Sequence, residues 1–142
     1  MSLFSAMAVS ASGMAAQRTR AELLVENLAN AETTRTPEGG PYRRKDAVFA
    51  SEPVGTSFSS LFDSRLQEGV TVQEISVDTS DPERRYLPGH PDAGPDGYVA
   101  FPRINPAEDM VDLSGAARSF EANVAAISSV KDMIMRSIDL FK

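Results

Sequence analysis

The residues able to do chemistry are few and scattered along this 142-residue chain. His90 is the sole histidine. It stands in a Pro- and Gly-rich run with no triad or metal-ligand spacing around it, so it reads as a solvated loop side chain rather than a general base. Ser10, Ser12, Ser128 and Ser129 lack the glycine-flanked turn of a nucleophile elbow, and packing or helix-surface roles explain them. Glu108, Asp109 and Asp112 are close enough to suggest a cation site, but EF-hand spacing is absent. They open a helical stretch, where each carboxylate gains roughly 0.3–1 kcal/mol from the macrodipole. Arg43, Arg44 and Lys45 follow Gly39, Gly40 and Pro41, a basic turn suited to an anion. The terminal Lys–Ser/Thr of a phosphate loop is missing, and an ion-pair contact with the acidic middle of another copy is the simpler use. With no cysteine in the chain, disulfides, thiolate metal sites and cysteine nucleophiles are excluded. No catalytic residue, metal or cofactor is expected.

The net charge of −6 argues against a nucleic-acid binder, which needs a basic face to neutralise phosphates. Most of that charge lies in residues 47–106, leaving the ends nearly balanced. No window supplies the roughly 20 predominantly apolar residues of a membrane span. The first sixteen residues are apolar but carry no Lys or Arg, so a cleaved secretory signal is not expected.

The elements that must position these groups lie at the two ends. Residues 1–31 form a helical segment rich in Ala and Ser. Its larger side chains, Leu3, Met7, Met14, Leu24 and Leu28, share one heptad seam, and the small residues between them suit close approach of another backbone. Asn27 and Asn30 mark its end, Asn being tolerant of the left-handed conformation that closes many helices. Residues 32–50 read as an extended linker with a sharp turn at Gly39–Gly40. Residues 51–106 hold short β signals at 70–77 and 98–104, the second cut short by Pro102, with an exposed loop at 81–97. Residues 107–142 give the strongest helical pattern. Met110, Leu113, Ala117, Phe120, Val124, Ile127, Ile134, Ile138 and Phe141 recur at heptad steps with Lys131 between them, along roughly 50 Å of helix.

The expected fold is therefore α+β: long N- and C-terminal helices paired as a coiled-coil-like, tube-forming unit, with a small irregular β-containing middle. A pair of helices buries one face of each. Off-seam residues such as Val25, Val111 and Val130 then meet the middle region or other molecules.

Three segments, SASGMAAQRTR (10–20), VENLANAETTRTPEGGPYRRK (25–45) and MVDLSGAARSFEANVAA (110–126), resemble the flagellar basal-body rod proteins. RTPEGGPYRRK is the part most particular to the proximal rod. The resemblance implies a non-enzymatic structural subunit, exported through the flagellar type III apparatus and assembled helically into a periplasm-spanning rod that transmits torque around an export channel. It implies as partners further copies of itself, the other proximal rod proteins, the adaptor at the inner-membrane MS ring and the distal rod. Met14, Leu24, Leu28, Asn30, Phe120, Val124, Ile127 and Ile134 are the expected interface residues. Arg35, Tyr42, Arg43, Arg44 and Lys45 are the expected linker contacts that set the angle between tube and outer region. The competing reading is a soluble export chaperone or adaptor that holds client helices; a rod-associated enzyme would need a carboxylate pair that the spacing does not supply.

Overall fold

The computed structural model describes residues 3–53 and 68–140; Phe141, counted in the heptad pattern above, lies outside them. The element order is α1 (Leu3–Ala29), β1 (Lys45–Pro53), β2 (Glu68–Val77), β3 (Glu83–Tyr86), β4 (Tyr98–Phe101) and α2 (Pro106–Asp139). β1 and β2 form one antiparallel hairpin and β3 and β4 another, so the architecture is α+β, with long helices at both ends.

Helix α2 begins where its sequence says it must. Asn105 caps it, its Oδ1 accepting from the Ala107 N–H at 3.2 Å, and Pro106 occupies the first turn, where its missing N–H costs nothing. Helix α1 ends differently from the expectation. No non-glycine residue has positive φ among the described residues, so neither Asn closes it in a left-handed turn. Instead the Asn30 side chain donates back to Glu26 O at 2.9 Å, while Asn27 sits inside the helix facing the linker.

The two helices run antiparallel: Arg20 lies 3.6 Å from Asp112, and a Cβ added at Gly13 would come within 3.2 Å of Asn123 Oδ1. Gly13 weakens α1 as a helix by roughly 1 kcal/mol, and this close approach explains its place. The seam of α2 is rotated from the apolar heptad. Buried Asp109, Ala116 and Val130, with half-buried Leu113, Asn123, Ile127 and Ile134, face inward. Met110, Val124 and Ile138 are exposed. Space decides this: where a glycine and alanines line α1, small and polar residues of α2 fit and the larger ones turn outward. Val130, read as off the seam, is therefore in the core.

The β1–β2 hairpin lies along α1, where Ser12 Oγ accepts from Val70 N at 3.0 Å. Its ladder slips between Val48 and Phe49, a bulge that strengthens the local twist. The second hairpin corrects the expectation of a plain loop at 81–97. Glu83–Tyr86 pairs with Tyr98–Phe101, and residues between them fold into turns closed by Leu87 N–H to Gly97 O at 2.9 Å. All four β3 side chains are exposed, which is why no alternation announced the strand. β4 instead buries Val99 and Phe101 and stops before Pro102.

Candidate assembly site

Where α1, the linker and the first hairpin meet, a fully enclosed asparagine organises the chain. Asn27 is 0% exposed. Its Nδ2 donates to Lys45 O at 2.8 Å, and its Oδ1 accepts from Lys45 N–H at 2.9 Å and from the Tyr42 hydroxyl at 3.0 Å. The amide thus bonds the backbone at the start of β1 as a neighbouring strand would, satisfying groups that would otherwise be buried bare. Tyr42 is buried beside it. Burial, reinforced by the negative charge of Glu26, pushes its phenol up to about 12, so it stays a donor throughout the neutral range. Lys45 reaches Glu26 at 2.6 Å and lies over the Tyr42 ring.

A second tie reaches α2. Arg44 donates to Asp109 Oδ1 at 2.7 Å and to Asp46 Oδ2 at 3.0 Å. Asp109 is 1% exposed in the first turns of α2, where the macrodipole also favours it. The hydrogen bond to Asp46 is the main influence holding the Arg44 guanidinium above its ordinary range, so it stays charged. Asp109, expected only to complement the helix dipole, is thus the buried half of an ion pair. The basic turn Arg43–Lys45 finds its acidic neighbours within the chain: Asp46 and Asp109 for Arg44, and Glu26 for Lys45. Arg43 donates to Asp78 O at 3.0 Å while Asp78 N–H donates to Arg44 O at 2.8 Å.

The linker itself is built by its turn residues. Gly39 and Gly40 adopt φ of 92° and 78°, a conformation a side chain would strain. Thr36 N–H reaches Gly40 O at 2.9 Å, and Tyr42 N–H reaches Thr33 O at 3.0 Å. Arg35 approaches Asp92 at 3.8 Å, and Thr34 Oγ1 donates to Asp92 Oδ2 at 2.8 Å, fastening the second hairpin. His90 has a structural place there: its Nδ1 accepts from Asp92 N–H at 3.1 Å and its ring meets Phe101 edge-on.

The expected interface residues fall into two groups. Leu24 is buried, and Met14, Leu28, Asn30, Ile127 and Ile134 are half-buried, all within this chain. Phe120 and Val124 are left in solvent, together with Met110, Val111, Met133, Met135 and Ile138 on α2. Asn27 and Asp109 are the residues the pattern missed as organisers. The available signals were an asparagine, a poor helix former, inside a helical stretch, and Arg44 two residues after Tyr42 in the linker. Among the described residues no cluster of three His, Asp or Glu side chains is disposed to hold a metal ion, and no helix is long and apolar enough to cross a membrane.

This geometry, a bonded elbow with an apolar helix face left open, is that of a building block. A protein from Bacillus subtilis strain 168 named flagellar basal-body rod protein FlgC is 41% identical, with both chains covered in full. The chain belongs to the FlgC family of flagellar basal-body rod proteins. The FlgC proteins of Borreliella burgdorferi and Salmonella typhimurium are 38% and 32% identical, each spanning 98% or more of its own length. A family profile described as flagellar basal body rod FlgEFG protein C-terminal matches residues 96–140, from the middle of the second hairpin to the end of α2. FlgC-family chains are structural components of the basal body and not enzymes, and the matched segment carries the open face of α2.

Proposed function

We propose that this chain is a structural subunit of the proximal rod, in which α1 and α2 together form one element of the tube wall. The observation that carries this reading is the division of labour between the helices. α1 is covered by α2 and by the first hairpin, whereas α2 keeps an apolar stripe with Val124 42% exposed. An open apolar helix face of this length asks for a partner. Contacts between unlike faces of successive copies would propagate helically rather than close.

In this reading Leu24 holds the subunit together. Phe120 and Val124 pack between subunits, Met14, Leu28, Asn30, Ile127 and Ile134 border both, and the elbow from Arg35 to Lys45 fixes the angle at which the hairpins leave the tube. Torque then passes through many such contacts while exported proteins travel through the lumen. The neighbours are further copies, the other proximal rod proteins, the adaptor at the MS ring and the distal rod. The subunit reaches them by type III export. Family membership favours this over the chaperone reading.

Deleting the coding region and imaging basal bodies tests the proposal. Loss of rods and filaments is expected, and motile, fully flagellated cells would overturn it. Fractionation adds a second check: a rod subunit co-purifies with basal bodies, a chaperone stays with the cytosol.

A further inference from the structure

His90 is the sole histidine, and histidine is the side chain whose charge ordinarily changes between about pH 5 and 8. Its setting makes that change matter. Nδ1 accepts from the Asp92 N–H at 3.1 Å, so it carries a lone pair and the neutral ring keeps its proton on Nε2. The same turn is closed by His90 N–H to Leu87 O at 3.1 Å and by Ala93 N–H to His90 O at 3.0 Å. Asp92 Oδ2 lies 4.0 Å from Nδ1, too far for a hydrogen bond, and instead accepts from Thr34 Oγ1 at 2.8 Å. Asp92 Oδ1 faces Arg35 at 3.8 Å. One residue thus offers its backbone N–H to His90 and its carboxylate to the linker.

We propose that this turn is a proton-sensitive latch: protonation of His90 draws the Asp92 carboxylate away from Thr34 and Arg35 and loosens the second hairpin from the elbow. A protonated imidazole has two donors and no acceptor. Nδ1–H and the Asp92 N–H would then point at each other, and the acceptor at hand for Nδ1–H is Asp92 Oδ2. Reaching the length of a charged hydrogen bond from 4.0 Å takes a shift of about 1 Å. The ring meets Phe101 edge-on, so the carboxylate is the part that moves, and the same shift stretches its bond to Thr34 past the hydrogen-bond range.

The charges around the ring leave no other partner for it. From the linker, Arg35 is 81% exposed and held to Asp92 only at long range, a contact worth little in water, and Glu32 acts on Arg85. From β3, Arg85 lies over Phe101 and is paired with Glu83 at 3.0 Å. β4 brings Phe101 itself, without charge. Within the loop, Asp96 is engaged with the Tyr98 N–H at 3.4 Å. Among the described residues Asp92 has the one carboxylate within 4.0 Å of a ring nitrogen. That single group would have to serve Thr34, Arg35 and a charged His90 at once. The latch stands apart from the rod reading; in a rod it makes the angle of the second hairpin depend on the acidity around it.

NMR of the purified full chain between about pH 5 and 8 tests this. With no second histidine and no cysteine, a midpoint shared with the His90 ring protons assigns a change to His90. As the ring protonates, the amide shifts of Thr34, Arg35 and Asp92 should move with it. Protection of the Asp92 N–H, corrected for the intrinsic pH dependence of exchange, should fall about fivefold, the worth of one ordinary hydrogen bond. His90→Asn keeps an acceptor for the N–H two residues on, as in an Asx-turn, but does not titrate, and it should hold all three amides constant. Asp92→Asn keeps an acceptor for Thr34 without the charge, so the N–H of residue 92 should still respond and Thr34 should not. If His90 titrates in the unaltered chain while Thr34 stays fixed, or if His90→Asn shows the same response, the latch is overturned. The unaltered chain decides this even where a variant fails to fold. Either outcome leaves the rod reading to the basal-body experiments above.

Discussion

Helices α1 and α2 are built from similar amounts of chain, 27 and 34 residues, and meet opposite fates. α1 carries a weakly amphipathic, small-residue sequence, yet it is enclosed on two sides and holds most of the buried side chains of the pair. α2 carries the stronger apolar pattern and stays mostly in solvent. The strength of a hydrophobic pattern therefore does not rank helices by burial within one chain. A helix with small residues admits neighbours closely on several sides, whereas a helix with large residues on more than one face needs more partners than one subunit supplies.

The contrast is sharpest where each helix is tied to the elbow. Arg44 is the one hydrogen-bonded partner of the Asp109 carboxylate among the described residues. Arg44→Ala would strand a charge that is 1% exposed, and a loss of about 3–5 kcal/mol is expected by urea denaturation of the purified chain. Asp109→Asn in the same background should recover part of it. If Arg44→Ala leaves stability unchanged, α2 is not fastened through this pair.

Leu24→Ala probes the enclosed helix. Leu24 is 4% exposed, and its truncation should cost about 2–5 kcal/mol. A loss under about 0.5 kcal/mol, the range of ordinary surface substitutions, would mean that α1 is not the interior element.

Much of this arrangement was legible before any coordinates. Pro106 and the carboxylates after it mark the start of α2, Gly39–Gly40 marks the turn, and Pro102 ends β4. What periodicity could not give was the choice among faces. α2 has apolar residues on neighbouring heptad positions, and the face turned inward was set by Gly13 and Ala16 on the other helix, more than a hundred residues away in sequence. β3 was illegible for a related reason: Glu-Arg-Arg-Tyr becomes a strand through pairing with β4, not through its own pattern. Asn27 could be seen as an odd residue in a helix, but its partner, the backbone of Lys45, has no signature in side-chain identity.

Tyr42 gives a pH-dependent check on the elbow. Its phenol is pushed up to about 12 in the folded chain, and tyrosine in an unfolded chain ionises near 10. Above pH 10 the unfolded chain gives up this proton while the folded chain keeps it. This contribution is therefore complete below pH 10 and lost as pH rises toward 12. Tyr42→Phe should cost about 1 kcal/mol at neutral pH for the lost bond to Asn27, and it should flatten the decline between pH 10 and 12. Denaturation curves at pH 8, 10 and 12 on both chains measure this, and equal slopes would show that Tyr42 is not enclosed by the elbow.

The smallest effect on folding should accompany the largest gap between folding and function. Val124→Ser removes apolar surface from a helix face that is 42% exposed, so the purified chain should change by no more than about 0.5 kcal/mol. In cells the same substitution should reduce incorporation into basal bodies, because there the side chain is desolvated and a hydroxyl without a partner is costly. Leu24→Ala must show the reverse order, losing stability first and assembly as a consequence. If Val124→Ser destabilised the isolated chain as much as Leu24→Ala, the two helices would be equivalent parts of one core, and the open face of α2 would need another explanation. A normal chain that assembles poorly would instead locate the missing half of the α2 environment in a neighbouring subunit.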